Sequence, residues 1–133
     1  MRIVVDTSAL LAVLLHEAER DRFIAALLDN EPVISIATLT ETYLVTQARR
    51  GAAVLEEVDR QIAGYEIEVA PVLAEDRIWL RQAMLDFGKG RRREPAVLNF
   101  GDLFAYALAR RLGLPLLFKG DDFARTDVQR VPV

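Results

Sequence analysis

Five carboxylates stand in this sequence where a negative charge is costly to place. Asp6 follows the β-branched run Ile3-Val4-Val5 and precedes a stretch, Ser8 to Leu15, that is nearly all Ala, Leu and Val. Glu41 lies in "SIATLTETYLV", Asp102 in "LNFGDLFAYALARRLGL", and Asp121 and Asp122 in "FKGDDF", just past the apolar Leu116-Leu117-Phe118. Carboxylates drawn together repel and raise one another's pKa unless a cation joins them. An oxygen-only donor set, without histidine or cysteine, suits Mg2+ or Mn2+ and not zinc. Such an ion on two or more acids, keeping several waters, is equipped to work on phosphate esters.

Each acid also has a purely local reading. Asp6, Thr7 or Ser8 could cap the helix that follows by accepting a free backbone N–H. Thr38-Leu39-Thr40-Glu41 matches a capping box, with Glu41 reaching back to the cap's own N–H. Asp102 follows Gly101, which permits a tight turn, and precedes the apolar stripe Leu103, Phe104, Ala107 and Leu108, as an N-cap would. Asp121 and Asp122 would make an ordinary polar turn after a glycine. Capping and ion binding are compatible, because a helix N-terminus also helps hold an anionic ligand.

The elements decide whether these acids meet. Hydrophobic periodicity predicts strands at 2–6, 33–36, 66–69 and 115–118. It predicts helices at 8–15, 17–29, 38–50, 52–64, 74–88 and 103–112, the last stopped by Gly113 ahead of Leu114-Pro115. Strands alternating with helices make an α/β domain with a largely parallel sheet, whose ligand crevice lies beyond the carboxyl ends of the strands. Asp6 and the turn after Phe118 both fall at such ends. With 133 residues, no repeats and no linker, the chain is expected to form a single domain over 1–133.

Composition narrows the class. Hydrophobic residues make up 52% and charged residues 28%, as expected of a soluble globular protein. The longest uncharged apolar run, Thr7 to Leu15, is too short for a membrane span, and the start does not read as a signal peptide. The absence of cysteine excludes disulfides and thiolate metal sites and makes a cytoplasmic address the default. A net charge of −3 does not advertise a nucleic-acid partner, but Lys89, Arg91, Arg92 and Arg93 concentrate positive charge in "FGKGRRREP".

The segments "VVDTSAL", Glu41 on the third helix, and "LNFGDLFAYALARRLGLPLLFKGDDFARTDV" together resemble the PIN-domain ribonucleases, and more narrowly the VapC toxins of bacterial toxin–antitoxin pairs. The similarity spans essentially the whole chain. It is weakest over 52–95, where only "FGKG" resembles the family. The resemblance implies a three-layer α/β/α PIN-like domain with a central, mostly parallel sheet. It further implies that Asp6, Glu41 and Asp102 are catalytic, metal-binding acids, with the fourth drawn from Asp121 or Asp122. Asp121 is favoured because family members match at that acid more steadily. The implied activity is Mg2+-dependent hydrolysis of an RNA phosphodiester, with Mn2+ as a possible substitute, Glu41 orienting the attacking water, and products ending in 3′-hydroxyl and 5′-phosphate. The family's common "GDCFAYA" is "GDLFAYA" here, and Leu103 is expected to point into the core.

Partners follow from the same resemblance: a homodimer, silenced by a VapB-like antitoxin whose C-terminal segment covers the acids, in a heterotetramer or larger assembly. Apolar helical surface at 8–15 and 38–46 could serve either contact or a core. Lys89, Arg91, Arg92 and Arg93 are expected to hold RNA phosphates, with a solvated loop as the alternative. Lys119 and Arg125 are read as phosphate contacts or solvated surface, and His16 as a surface turn residue. Trp79, Phe87, Phe104 and Tyr106 read as core or interface. A haloacid-type phosphatase needs a second aspartate two residues after the first, a receiver domain needs paired acids beside it, and a nucleotide-binding P-loop needs its glycines. The sequence has none of these. The remaining rival is a catalytically silent PIN-like module that binds RNA or a partner protein.

Overall fold

The computed structural model describes residues 1–88 and 98–133, so the expected RNA clasp of Lys89, Arg91, Arg92 and Arg93 lies outside the described residues. Four strands, β1 (Arg2–Val5), β2 (Glu31–Ser35), β3 (Glu68–Ala70) and β4 (Leu116–Leu117), form one sheet in the order β3-β2-β1-β4. All three pairings are parallel. Among the described residues six helices accompany them: α1 (Thr7–Leu14), α2 (Arg20–Asp29), α3 (Ile36–Arg50), α4 (Val54–Gly64), α5 (Arg77–Phe87) and α6 (Phe100–Leu112). The predicted helix at 74–88 is a 3-10 turn, Ala74–Asp76, leading into α5.

The sheet is buried on both faces, as continuous β-branched strands require. Ile3, Val5, Ile34 and Leu117 pack into one core with Leu10 and Val13 of α1, Phe23 and Leu27 of α2, Leu39 of α3 and Val58 of α4. Val4, Val33 and Leu116 face the other core, with Ala83 of α5 and Leu103, Tyr106 and Leu108 of α6. Alternate residues of one strand therefore feed two cores, and the architecture is the expected three-layer α/β/α. Leu103 is 5% exposed, pointing into the core as expected. Helix α1 buries Ala9, Leu10, Ala12 and Val13 in the core, while Leu11, Leu14 and Leu15 of the 8–15 stretch are partly exposed. On α3, by contrast, Leu44 is 68% exposed. Among the described residues no helix is long and apolar enough to cross a membrane.

The chain runs from β1 outward through β2 to β3, then returns to place β4 on the opposite side of β1. The point of reversal falls at the carboxyl ends of β1 and β4, where sheets of this kind take their ligands. Asp6 directly follows β1, and the turn carrying Asp121 and Asp122 lies just beyond β4.

Candidate active site

Asp6 is the N-cap of α1. Its Oδ2 accepts the Ser8 N–H at 3.0 Å and the Ser8 hydroxyl at 2.6 Å. The capping reading is therefore correct for one oxygen of the carboxylate. The other, Oδ1, is buried and has no hydrogen-bond partner among the described residues. A buried, unpaired carboxylate oxygen is a costly arrangement unless it is kept for something that binds there. Burial pushes the Asp6 pKa up to about 6 against the bonds from Ser8, and the charge of Glu41 raises it further.

Asp102 differs from the sequence expectation in its local role. The helix starts earlier, at Phe100, with Asn99 as N-cap. The Asp102 N–H donates to Asn99 Oδ1 at 2.9 Å, and Asp102 Oδ2 accepts the Asn99 N–H at 3.0 Å. Asp102 thus closes a capping box on its third residue and is not itself the cap. Asn99, three residues before the aspartate, was the missed signal. Asp102 is 8% exposed, and burial drives its pKa up to about 7 despite the Asn99 bond, with the charges of Asp6, Asp122 and Glu41 adding to the rise.

Glu41 also departs from its local reading. Helix α3 begins at Ile36, capped by Ser35, whose side chain accepts the Ala37 N–H at 3.2 Å. Thr38 is therefore fully buried inside the helix, and the expected Thr38–Glu41 box does not form. The Glu41 carboxylate instead accepts the Thr7 hydroxyl at 2.6 Å, across to the residue that follows Asp6. Thr42, one residue on, donates to Thr7 Oγ1 at 3.1 Å from the buried side.

The first three acids thus lie around the carboxyl end of β1 and the amino end of α6. Of the fourth pair, the acid whose charge bears on Asp102 is Asp122, whereas the sequence reading favoured Asp121. Among the described residues, no three acidic or histidine side chains stand together as a ready-made ion cage. Asp6 Oδ2, Glu41 and Asp102 Oδ2 are each held by a nearby donor. Mg2+ does not need such a cage, since it is commonly bound by one or two carboxylates, with waters and substrate phosphates completing the shell. Two buried aspartates held at raised pKa, one with an unpartnered oxygen, fit a small divalent cation.

Other predicted residues are placed elsewhere. Lys119 Nζ, read as a phosphate contact or solvated surface, is instead engaged by Glu17 at 2.7 Å and Glu19 at 2.8 Å. Its backbone N–H, however, donates to Ser8 Oγ at 2.9 Å and ties the exit of β4 to the hydroxyl that holds Asp6. His16 is an exposed turn residue at φ 53°, as expected. Tyr106 is buried, Phe104, Phe87 and Trp79 are half-buried, and Arg110 lies over the Trp79 ring. These aromatics line core and helix contacts, as predicted.

A parallel sheet with a reversal point carries buried acids at its carboxyl edge, where sheets of this kind meet their ligands. The family model described as the PIN domain matches residues 3–129. VapC ribonuclease Mb0640 of Mycobacterium bovis is 42% identical over 130 residues, covering 97% of this chain and 98% of its own length. A ribonuclease VapC of Mycolicibacterium smegmatis is 40% identical over 131 residues, covering 97% and 99%. The chain belongs to the PIN-domain family, within its VapC ribonuclease branch. Among solved structures, the sarcin-ricin-loop-cleaving toxin VapC20 of Mycobacterium tuberculosis shares the fold at a TM-score of 0.76 with 19% identity, covering 97% of this chain and 98% of its own. VapBC2 of Rickettsia felis, solved on a DNA fragment from its promoter, matches at a TM-score of 0.71 with 15% identity, covering 98% and 96%.

Proposed function

We propose that this protein is a divalent-metal-dependent endoribonuclease that hydrolyses RNA phosphodiester bonds and acts as a toxin held in check by a VapB-like antitoxin. The observation that carries the reading is the pair of buried carboxylates, Asp6 and Asp102, with pKa values pushed up to about 6 and 7. Mg2+ is the favoured ion and Mn2+ a possible substitute. When bound, the cation supplies positive charge to the scissile phosphate and acidifies a coordinated water.

Asp6 would hold the cation through its unpartnered Oδ1, with Ser8 fixing the other oxygen. Asp102 would face it from the first turn of α6, oriented by the Asn99 box, and the fourth acid is drawn from Asp121 and Asp122. Glu41, held by Thr7, would orient the attacking water. The full carboxylate set favours this reading over a silent RNA- or protein-binding module. The same reading includes a cytoplasmic address, a homodimer, and antitoxin basic groups that satisfy the acids when the enzyme is silenced. Incubating the purified protein with RNA, with and without a chelator, tests it. Cleavage abolished by chelator and restored by Mg2+ or Mn2+ is expected, and RNA left intact at high protein concentration would select the binding module.

A further inference from the structure

Gly101 occupies the second position of α6, inside a regular helix, where glycine is a poorer helix former than alanine. The tight turn expected of it from the sequence is not there, so backbone freedom does not explain its presence. The space around it does. A β-carbon built on Gly101 would overlap the Glu41 carboxylate, falling within contact of Oε2 and Cδ and 2.9 Å from Oε1. Its three nearest atoms all belong to that one carboxylate. Glu41 is in turn tethered from the opposite side by the Thr7 hydroxyl at 2.6 Å, and Thr7 is buried beside Thr42, which is fully so.

We propose that Gly101 is a positioning residue for the reaction: by lacking a β-carbon it leaves a slot at the amino end of α6 that holds the Glu41 carboxylate against Thr7. Glu41 is the flexible end of a long side chain, so a methyl group at position 101 displaces the carboxylate and leaves the backbone in place. The helix itself gains from the substitution, because alanine loses less conformational freedom there. The fold therefore keeps a less stable helix start in exchange for where one acid stands. Thr7 completes the device from the other side and sets which carboxylate oxygen stays free.

The role in catalysis rests on the ribonuclease reading, but the placement of Glu41 does not. Two readouts separate them. The metal-free Gly101→Ala variant should melt at or above the wild-type temperature, and its crystal structure should show Glu41 displaced from Thr7 by more than hydrogen-bond reach. RNA cleavage by the same variant should fall at least tenfold in kcat with little change in KM. In a Glu41→Asp background, whose shorter side chain does not reach the slot, adding Gly101→Ala should change the remaining rate less than twofold. A Gly101→Ala structure with Glu41 still bonded to Thr7, or equal losses in both backgrounds, would overturn the proposal. If wild-type protein cleaves no RNA under any metal, the ribonuclease reading fails while the crystallographic arm still decides the slot.

Discussion

The Ser8 hydroxyl lies between Asp6 and Lys119, donating to Asp6 Oδ2 at 2.6 Å and accepting the Lys119 N–H at 2.9 Å. One hydroxyl thus joins the carboxyl ends of two neighbouring parallel strands, and it fixes Asp6 Oδ2 while the buried Oδ1 stays unpartnered. Replacing Ser8 by Ala removes both bonds but keeps the backbone N–H cap. A loss of about 1 kcal/mol in stability is expected, the usual worth of such bonds, together with a drop in RNA cleavage that exceeds what the lost stability explains. Urea unfolding paired with a cleavage assay on the same sample checks both.

Charge, more than shape, should decide activity at Asp6 and Asp102. Asn at either position preserves volume and removes the charge, so cleavage in saturating Mg2+ should fall by a factor on the order of a hundred or more, as loss of a charged transition-state partner does. Undiminished cleavage in both variants would exclude the mechanism.

The raised pKa values of Asp6 and Asp102 fix the sign of a pH effect on stability. Both groups hold their protons more tightly in the folded protein than in the unfolded chain. Their favourable contribution is therefore complete below the ordinary carboxylate pKa of 3.8, and it is lost as pH rises towards the folded values of about 6 and 7. In chelator, Asp102→Asn should gain stability relative to wild type between pH 4 and pH 8, by on the order of 3 kcal/mol. Thermal melts across that range, repeated in Mg2+, should show the gap close when the ion is present. A difference that stays flat with pH would contradict the burial of this charge.

Away from the site, Arg111 Nε donates to Asp76 Oδ1 at 2.5 Å, joining α6 to the turn before α5, and the Asp76 side chain is 4% exposed. Removing one member of a buried pair strands the other. Asp76→Ala should cost about 3 kcal/mol in unfolding free energy, with the metal requirement unchanged, as equilibrium denaturation and metal titration would show.

Reversing the charges of Arg91, Arg92 and Arg93 should weaken RNA binding and flatten its dependence on salt, because fewer neutralised phosphates release fewer counterions. Binding measured at several salt concentrations gives the slope directly, and an unchanged slope would count against the clasp.

Much of this molecule is legible in its sequence, for identifiable reasons. The runs Ile3-Val4-Val5 and Leu116-Leu117 suit strands covered on both faces, and their alternation with helices pointed to the parallel sheet. The acids were visible as charges bordering apolar elements. What was not legible was which local partner each acid would take. Capping signals are short and overlap: Ser35 and Thr38 both precede α3 plausibly, as Asn99 and Asp102 do α6, and only packing against the sheet sets where each helix starts. In both cases the helix began two or three residues earlier than periodicity suggested, and that shift turned Glu41 from a cap into a partner of Thr7. The slot at Gly101 was equally hidden, since it depends on a residue sixty positions away in the chain.

The placement of β4 against β1 has a consequence for how the protein is made. Asp6, Glu41 and Asp102 all leave the ribosome before β4, the strand that pairs beside Asp6, and before Asp121 and Asp122. A growing chain halted at residue 110 carries Asp6, Glu41 and Asp102 without the strand that encloses them, so it should be harmless to the RNA around it. Expression of that fragment beside the whole protein, with growth as the readout, would show whether potency arrives only with the closing strand.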